Sequence, residues 1–489
     1  MAKGKKRSRK RDVAPSNDAT LKALSASAGS VVPGVYPGRT SHAIVLPHSV
    51  ESISITPTAT HPGASVLVDG RPVESGHATE PRRLEVGRNL MRVEVIAQDG
   101  KTRNTQVVKA IRACRTPDWT KVAEASPWAP RDSAGELVFD GRMWLFGGYT
   151  PEVISDTWCS ADGVNWEQMG AVPTPGVNIP VAFAHDGRMW ITGTDGRLFS
   201  SKDGRRWKFV TDKAPWMGRG GAGSAVFNGR MWVVGGCGSD LYNDVWSSAD
   251  GVRWKLELEE APWPRRQVFS NLVVHNDMLW LVGGGICVYE PFRGYRDVWC
   301  SPDGREWTKT TDEAPWLGRI WTSCAVYRNR IWLIGGFRAQ PTWNNFNDLW
   351  YSADGANWKL LVTEHIWEPR HEVSAYVHDD KLWVVGGNAW PLKNDAWSLH
   401  ITGLTFVSQP VVEEFVHAQY SYTAQADFGA GNARYRLVDG PPWLKIDRKS
   451  GLIRGTPPST GDFPVVVEAH DDAGATVRQA YTLHVIRTG

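Results

Sequence analysis

Five arginines recur at one place in a repeated pattern. Arg131, Arg219, Arg266, Arg319 and Arg370 each stand three residues after a tryptophan, and Val177 holds the corresponding position in one further copy. A guanidinium is suited to bidentate capture of carboxylates and phosphates, so arginines gathered round one opening would make an anion-binding mouth. The alternative is internal: each arginine pairs with an aspartate of its own repeat, such as Asp244 or Asp348. Trp321, Trp343 and Trp390 fall outside the repeat and are expected on the same face. These eight residues are the candidate ligand-binding set. Two long loops, 283–297 and 335–348, add Tyr289, Phe292, Tyr295, Arg293 and Arg338, and aromatic residues with arginine favour peptide or sugar recognition.

Catalytic and metal signals are weaker. Glu136 and Glu372 each lie close to a junction arginine. The six cysteines form no CxxC pair and are expected as mostly free, buried thiols, and no metal or cofactor is expected. Asp471 and Asp472 read as a turn, with calcium ligation as the alternative.

The elements that must position these groups follow from the repeat itself. One segment reads FDGRMWLFGG at 139 and returns at 184, 227, 274, 327 and 377, six copies in all. A second, SADGVNW at 160, follows only the first five copies, returning at 201, 248, 301 and 352. Asp-Gly and Asn-Gly favour two-residue hairpins, so each unit parses as four antiparallel strands, the signature of a propeller blade. The orphan tail PDWTKV at 117–122 supplies the missing sixth outer strand and closes the ring, with Trp119 as its outer tryptophan. Of 26 tryptophans, all but Trp321, Trp343, Trp390 and Trp443 recur with the repeat and are expected between blades.

The Gly-Gly pair, the N-D-x-W element and the outer Trp resemble kelch repeats. In kelch propellers that this pattern resembles, junction arginines line the channel mouth and bind acidic peptides. Some six-bladed kelch proteins are sialic-acid mutarotases using Arg and Glu, and some kelch propellers are copper radical oxidases. The 13 histidines here show no Tyr-His pair of the oxidase kind. SxDGxxW also resembles the sialidase Asp-box with one residue missing, a hairpin device without catalytic chemistry.

Flanking the repeats, residues 21–113 alternate polar and apolar residues in short bursts, as in SISITPT and SVLVDGRPV, and resemble a cadherin-like β-sandwich. Residues 402–489 carry G-P-P-W-L-x-I-D-x-x-S-G-x-I-x-G-T-P and resemble the Ig-like domain found beside cadherin repeats. The expected fold is therefore all-β: a basic disordered tail over 1–20, a sandwich over 21–113, a six-bladed kelch propeller over 114–401 closed by the 118–122 strand, and a second sandwich over 402–489. The net charge is +3, but the first twelve residues alone contribute +6, a patch for an anionic surface or nucleic acid. No apolar run is long enough to cross a bilayer and no secretory signal is recognisable, which implies a cytoplasmic or particle-associated protein, or surface export by a non-classical route. The modular make-up implies a non-catalytic bacterial or phage-like binding or structural protein with an anionic, glycan or peptide ligand at the propeller mouth. The alternative is a carbohydrate-active kelch enzyme, mutarotase-like or oxidase-like.

Overall fold

The computed structural model describes residues 14–288 and 292–487, and all regular structure among them is β-strand. The basic cluster at 1–12 and Tyr289 lie outside the described residues. Two compact units are formed, one from Pro117–Gly403 and one from the segments on either side of it.

The central unit contains six four-stranded antiparallel sheets among the described residues, one per repeat. The first comprises Gly135–Phe139, Arg142–Tyr149, Val153–Ser160 and Trp166–Ala171. Its opening hairpin turns on Asp140 and Gly141, both left-handed at φ 49° and 66°, the geometry that makes Asp-Gly the favoured pair there. The SADG hairpin is held by its own side chains. The Ser160 hydroxyl accepts from the Gly163 amide at 2.9 Å, and Asp162 accepts from Val164 and Asn165.

The orphan tail closes the sixth sheet. Trp119–Ala123 pairs antiparallel with Leu392–Leu399, Trp119 opposite Leu399, and the sheet runs on through Lys381–Asn388 to Ser374–His378. First strands of successive sheets neighbour one another in a cycle that returns from Ser374–His378 to Gly135–Phe139.

Tryptophan and glycine mesh between sheets. The Trp144 ring lies over Gly204 of the next sheet, so that a Cβ built there would be 2.0 Å from Trp144 Cζ3. Trp190 meets Gly251, Trp232 meets Gly304 and Trp280 meets Gly355 in the same way, and Trp383 of the sixth sheet meets Gly163 of the first. Only a residue without a side chain fits beneath these rings.

The other unit holds both sandwiches. Residues 14–116 form a five-stranded sheet packed on small two-stranded pairs around Ile44, Ile55, Val93 and Val108. The C-terminal segment forms four- and three-stranded sheets around Tyr420, Val467 and Leu483. The two are joined: Lys109 Nζ lies 2.8 Å from Glu413, Arg88 pairs with Glu413 and Asp462, and Cys114 sits in the C-terminal core. Asp471 accepts amides of Ala430, Ala473 and Ala475, and Asp472 accepts that of Asn432, so both carboxylates serve turns. All six cysteines are free, and five are buried.

Candidate functional site

The five junction arginines are held in clamps within their own sheets. Arg131, Arg266, Arg319 and Arg370 are at most 3% exposed. Arg131, Arg219, Arg266 and Arg370 each send two guanidinium nitrogens to both oxygens of one aspartate, Asp156, Asp244, Asp297 and Asp395, at 2.5 to 3.0 Å. Arg319 holds Asp348 in the same way. Each guanidinium also donates to a carbonyl of the Gly-Gly pair, Gly283 for Arg266, and each aspartate accepts an indole N–H two residues on, Trp299 for Asp297. The repeated D-x-W and Gly-Gly elements are thus acceptors for the repeated arginine. In place of an open ring of cations, the geometry shows the internal pairing that the sequence offered as its alternative.

Trp321, Trp343 and Trp390 do gather. Trp321 stacks on Phe337 and His371, with centroids 5.3 and 4.9 Å apart and planes 25° apart in both cases. Trp343 and Trp390 meet Phe337 edge-on at 5.3 and 5.4 Å and lie 6.3 Å from each other. Phe337 is fully buried, while Trp343 is 68% exposed and Trp390 51%. A shared floor therefore holds two large aromatic faces in solvent, an arrangement that folding alone does not favour.

Beside that floor is a cleft of about 260 Å³ lined by Phe292, Arg293, Arg319, Phe337 and Arg338. Arg293 and Arg338 form no ion pair among the described residues. Arg338 Nε is buried without a hydrogen-bond partner among the described residues, and its guanidinium lies 5.9 Å from the Phe346 ring. Arg293 lies over Tyr295 at 4.9 Å. Among the described residues these two loop arginines, unlike the junction set, face no carboxylate partner.

On the other side, Trp321 borders a cavity of about 360 Å³ walled by the first strands of all six sheets. Glu136 and Glu372 face into it. Burial pushes Glu136 up to about 7, against a hydrogen bond from Ser270 at 2.8 Å. Burial, with the charges of Asp132 and Glu136, pushes Glu372 up to about 8, against a 2.6 Å hydrogen bond from Ser133. Asp132 is also raised by burial, opposed by Asn388 and Ser133. His371 is brought down to about 4 by burial.

Sequence reasoning named Glu136 and Glu372 but missed Asp132, Ser133, His371 and Phe337. A signal was present: Asp132-Ser133 and His371-Glu372 directly follow junction arginines, at positions where other copies carry Gly220-Gly221 or Ile320-Trp321. Ser133, Gly221, Trp321 and Glu372 are all left-handed, with φ between 49° and 65°. The shared conformation shows that the repeat imposes it, and the site places different side chains on a common backbone.

Comparison with known proteins divides the chain in three. The DUF6242 beta propeller domain model matches residues 116–409, the Cadherin-like beta sandwich domain model 21–113, and the "Putative Ig domain" model 404–486. No curated protein matches. Among solved structures, one titled "Structure of YjhT" aligns at 14% identity over 59% of this chain and 97% of that chain, with a TM-score of 0.46.

Proposed function

We propose that this chain, which belongs to the DUF6242 beta propeller domain family, is a non-catalytic binding protein for a carboxylate-bearing glycan. The observation that carries this reading is the pair of exposed rings, Trp343 and Trp390, held on buried Phe337 next to Arg338, which forms no ion pair among the described residues. A pyranose ring has one flat, apolar C–H face that an indole covers, and its carboxylate would satisfy the guanidinium. The six-bladed propeller would act as a rigid frame that fixes the loops. Oligosaccharides containing uronic acids are expected to bind, and their neutral counterparts to bind more weakly. Binding of acidic peptides without any glycan binding would move the ligand class to protein.

A second, enzymatic reading draws support from Glu136 and Glu372, two carboxyls facing one cavity, as acid/base chemistry requires. Turnover of a sugar that is abolished in Glu136→Gln would establish it.

A further inference from the structure

We propose that Asp132, His371 and Glu372 form a binding site for a divalent transition-metal cation of the zinc or manganese class. One ring nitrogen of His371 and one carboxylate oxygen from each acid lie within 4.8 Å of one another. Ligand atoms held tetrahedrally at about 2.0–2.2 Å from one ion lie roughly 3.3–3.6 Å apart, so modest side-chain adjustments bring the three donors onto a single ion.

Each of the three has a partner that orients it. His371 is 4% exposed, and its Nδ1 lies 2.7 Å from Asn345 Oδ1. Asn345 uses its amide nitrogen on the Asn388 carbonyl at 2.9 Å, which leaves Oδ1 as the acceptor and puts the imidazole proton on Nδ1. Nε2 then carries the lone pair, and it makes no hydrogen bond among the described residues. Asn388 Nδ2 donates to Asp132 Oδ2 at 2.8 Å, while the Ser133 hydroxyl donates to Glu372 Oε2 at 2.6 Å and lies 3.0 Å from Asp132 Oδ1. Outer partners that fix the ring and the carboxylates in this way are what metal centres need.

Charge points the same way. Among the described residues no arginine or lysine pairs with Asp132, Glu136 or Glu372. The arginines beside them in sequence, Arg131 and Arg370, are committed to Asp156 and Asp395. One imidazole with two carboxylates and no thiolate suits zinc or manganese, whereas an all-oxygen set would suit magnesium or calcium. Glu372 faces the central cavity, which leaves coordination positions for water or a ligand oxygen.

The experiment titrates the chelator-stripped full chain with zinc, manganese, magnesium and calcium chlorides, by calorimetry and by tryptophan fluorescence. Trp321 and Trp390 lie 4.9 and 5.2 Å from the His371 ring and should report binding. One zinc or manganese ion per chain is expected, with little response to magnesium or calcium. His371→Ala and Glu372→Gln should abolish binding, and Asn345→Ala, a positioning change, should weaken it by about 10- to 100-fold. Asp118→Asn, in the exposed Asp118, Glu364 and His365 group, should leave it unchanged. If the variants fold poorly, anomalous diffraction from zinc-loaded wild-type crystals must still place the ion between the three residues. Absence of binding at millimolar metal, undiminished binding in both His371→Ala and Glu372→Gln, or an anomalous peak elsewhere would overturn the proposal.

Discussion

Trp119 meets Trp367 edge-on, with ring centroids 4.5 Å apart and planes at 88°. The same contact joins Trp307 to Trp263, Trp358 to Trp316 and Trp254 to Trp216 at 4.5 to 4.8 Å, but in those sheets the two rings are about 40 residues apart in the chain. Between Trp119 and Trp367 lies most of the propeller sequence. The sixth sheet is thus completed by a strand from the other end of the domain, with the packing its neighbours obtain locally.

Removing that ring should open the sheet where it closes. Trp119 is 2% exposed, and Trp119→Ala is expected to cost about 3–5 kcal/mol, the usual range for a buried tryptophan. Hydrogen exchange would show this as lost protection over Leu392–Leu399 before other sheets. Uniform loss across all six would contradict a local closing role.

Two adjacent arginines separate clamp from surface charge. Arg266 is fully buried against Asp297, and Arg266→Ala would strand that carboxylate, costing about 3–5 kcal/mol. Arg265 is 47% exposed beside Asp240 and Glu260, and Arg265→Ala should cost under about 1 kcal/mol. Denaturant titration of both variants checks the difference. Equal losses would contradict the clamp.

The Trp-Gly mesh gives a similar contrast. Gly204 and Gly187 are both left-handed, at φ 68° and 62°, but only Gly204 has a ring over it. Gly187→Ala carries the backbone cost alone, of about 1 kcal/mol or more, and Gly204→Ala should lose substantially more because Trp144 must move. Thermal melts of the two variants compare them directly, and a Gly204→Ala protein as stable as Gly187→Ala would remove the steric account.

Acid should weaken the contact between the third and fourth sheets through Glu257. Burial acts to raise its carboxyl, but Arg305, Lys255 and Ser247 outweigh that and bring it from 4.5 down to about 2. A folded-state value below the unfolded one means the carboxylate stabilises the fold above about 4.5, and that this contribution is lost as pH falls toward 2. Glu257→Gln should therefore lower stability at neutral pH and flatten its decline over that window. An unchanged acid limb would show the pairing contributes nothing.

The repeat made much of this fold legible. Six GG strands against five SxDG tails exposed the orphan at Trp119, because a propeller cannot leave its last sheet unpaired. Subtracting the periodic tryptophans isolated Trp321, Trp343 and Trp390, which share the Phe337 floor. Arg131 and its counterparts were harder to read. Periodicity gives a residue's place but not its partner, and the same spacing suits an open mouth or a buried clamp. Asp132, Ser133 and His371 stayed hidden because they are exceptions within single copies, and only the cyclic fold brings the first repeat against the last. The pairing of the orphan strand with the last blade implies that the two sandwiches lie close together, but the residues that join them, Glu413 with Lys109 and Arg88, are some 300 positions apart, and no local pattern encodes that contact.

Whether Phe337 carries a ligand site is decided by binding of uronic-acid oligosaccharides to four proteins: wild type, Trp343→Ala, Arg338→Ala and Arg219→Lys. Wild type should bind with measurable affinity, Trp343→Ala should lose at least ~10-fold, the size expected for removing a ring that anchors a ligand, and Arg338→Ala should weaken binding of acidic sugars only. Arg219→Lys, in a clamp, should change stability and leave affinity intact. Undiminished binding in Trp343→Ala, or loss only in Arg219→Lys, would contradict such a site.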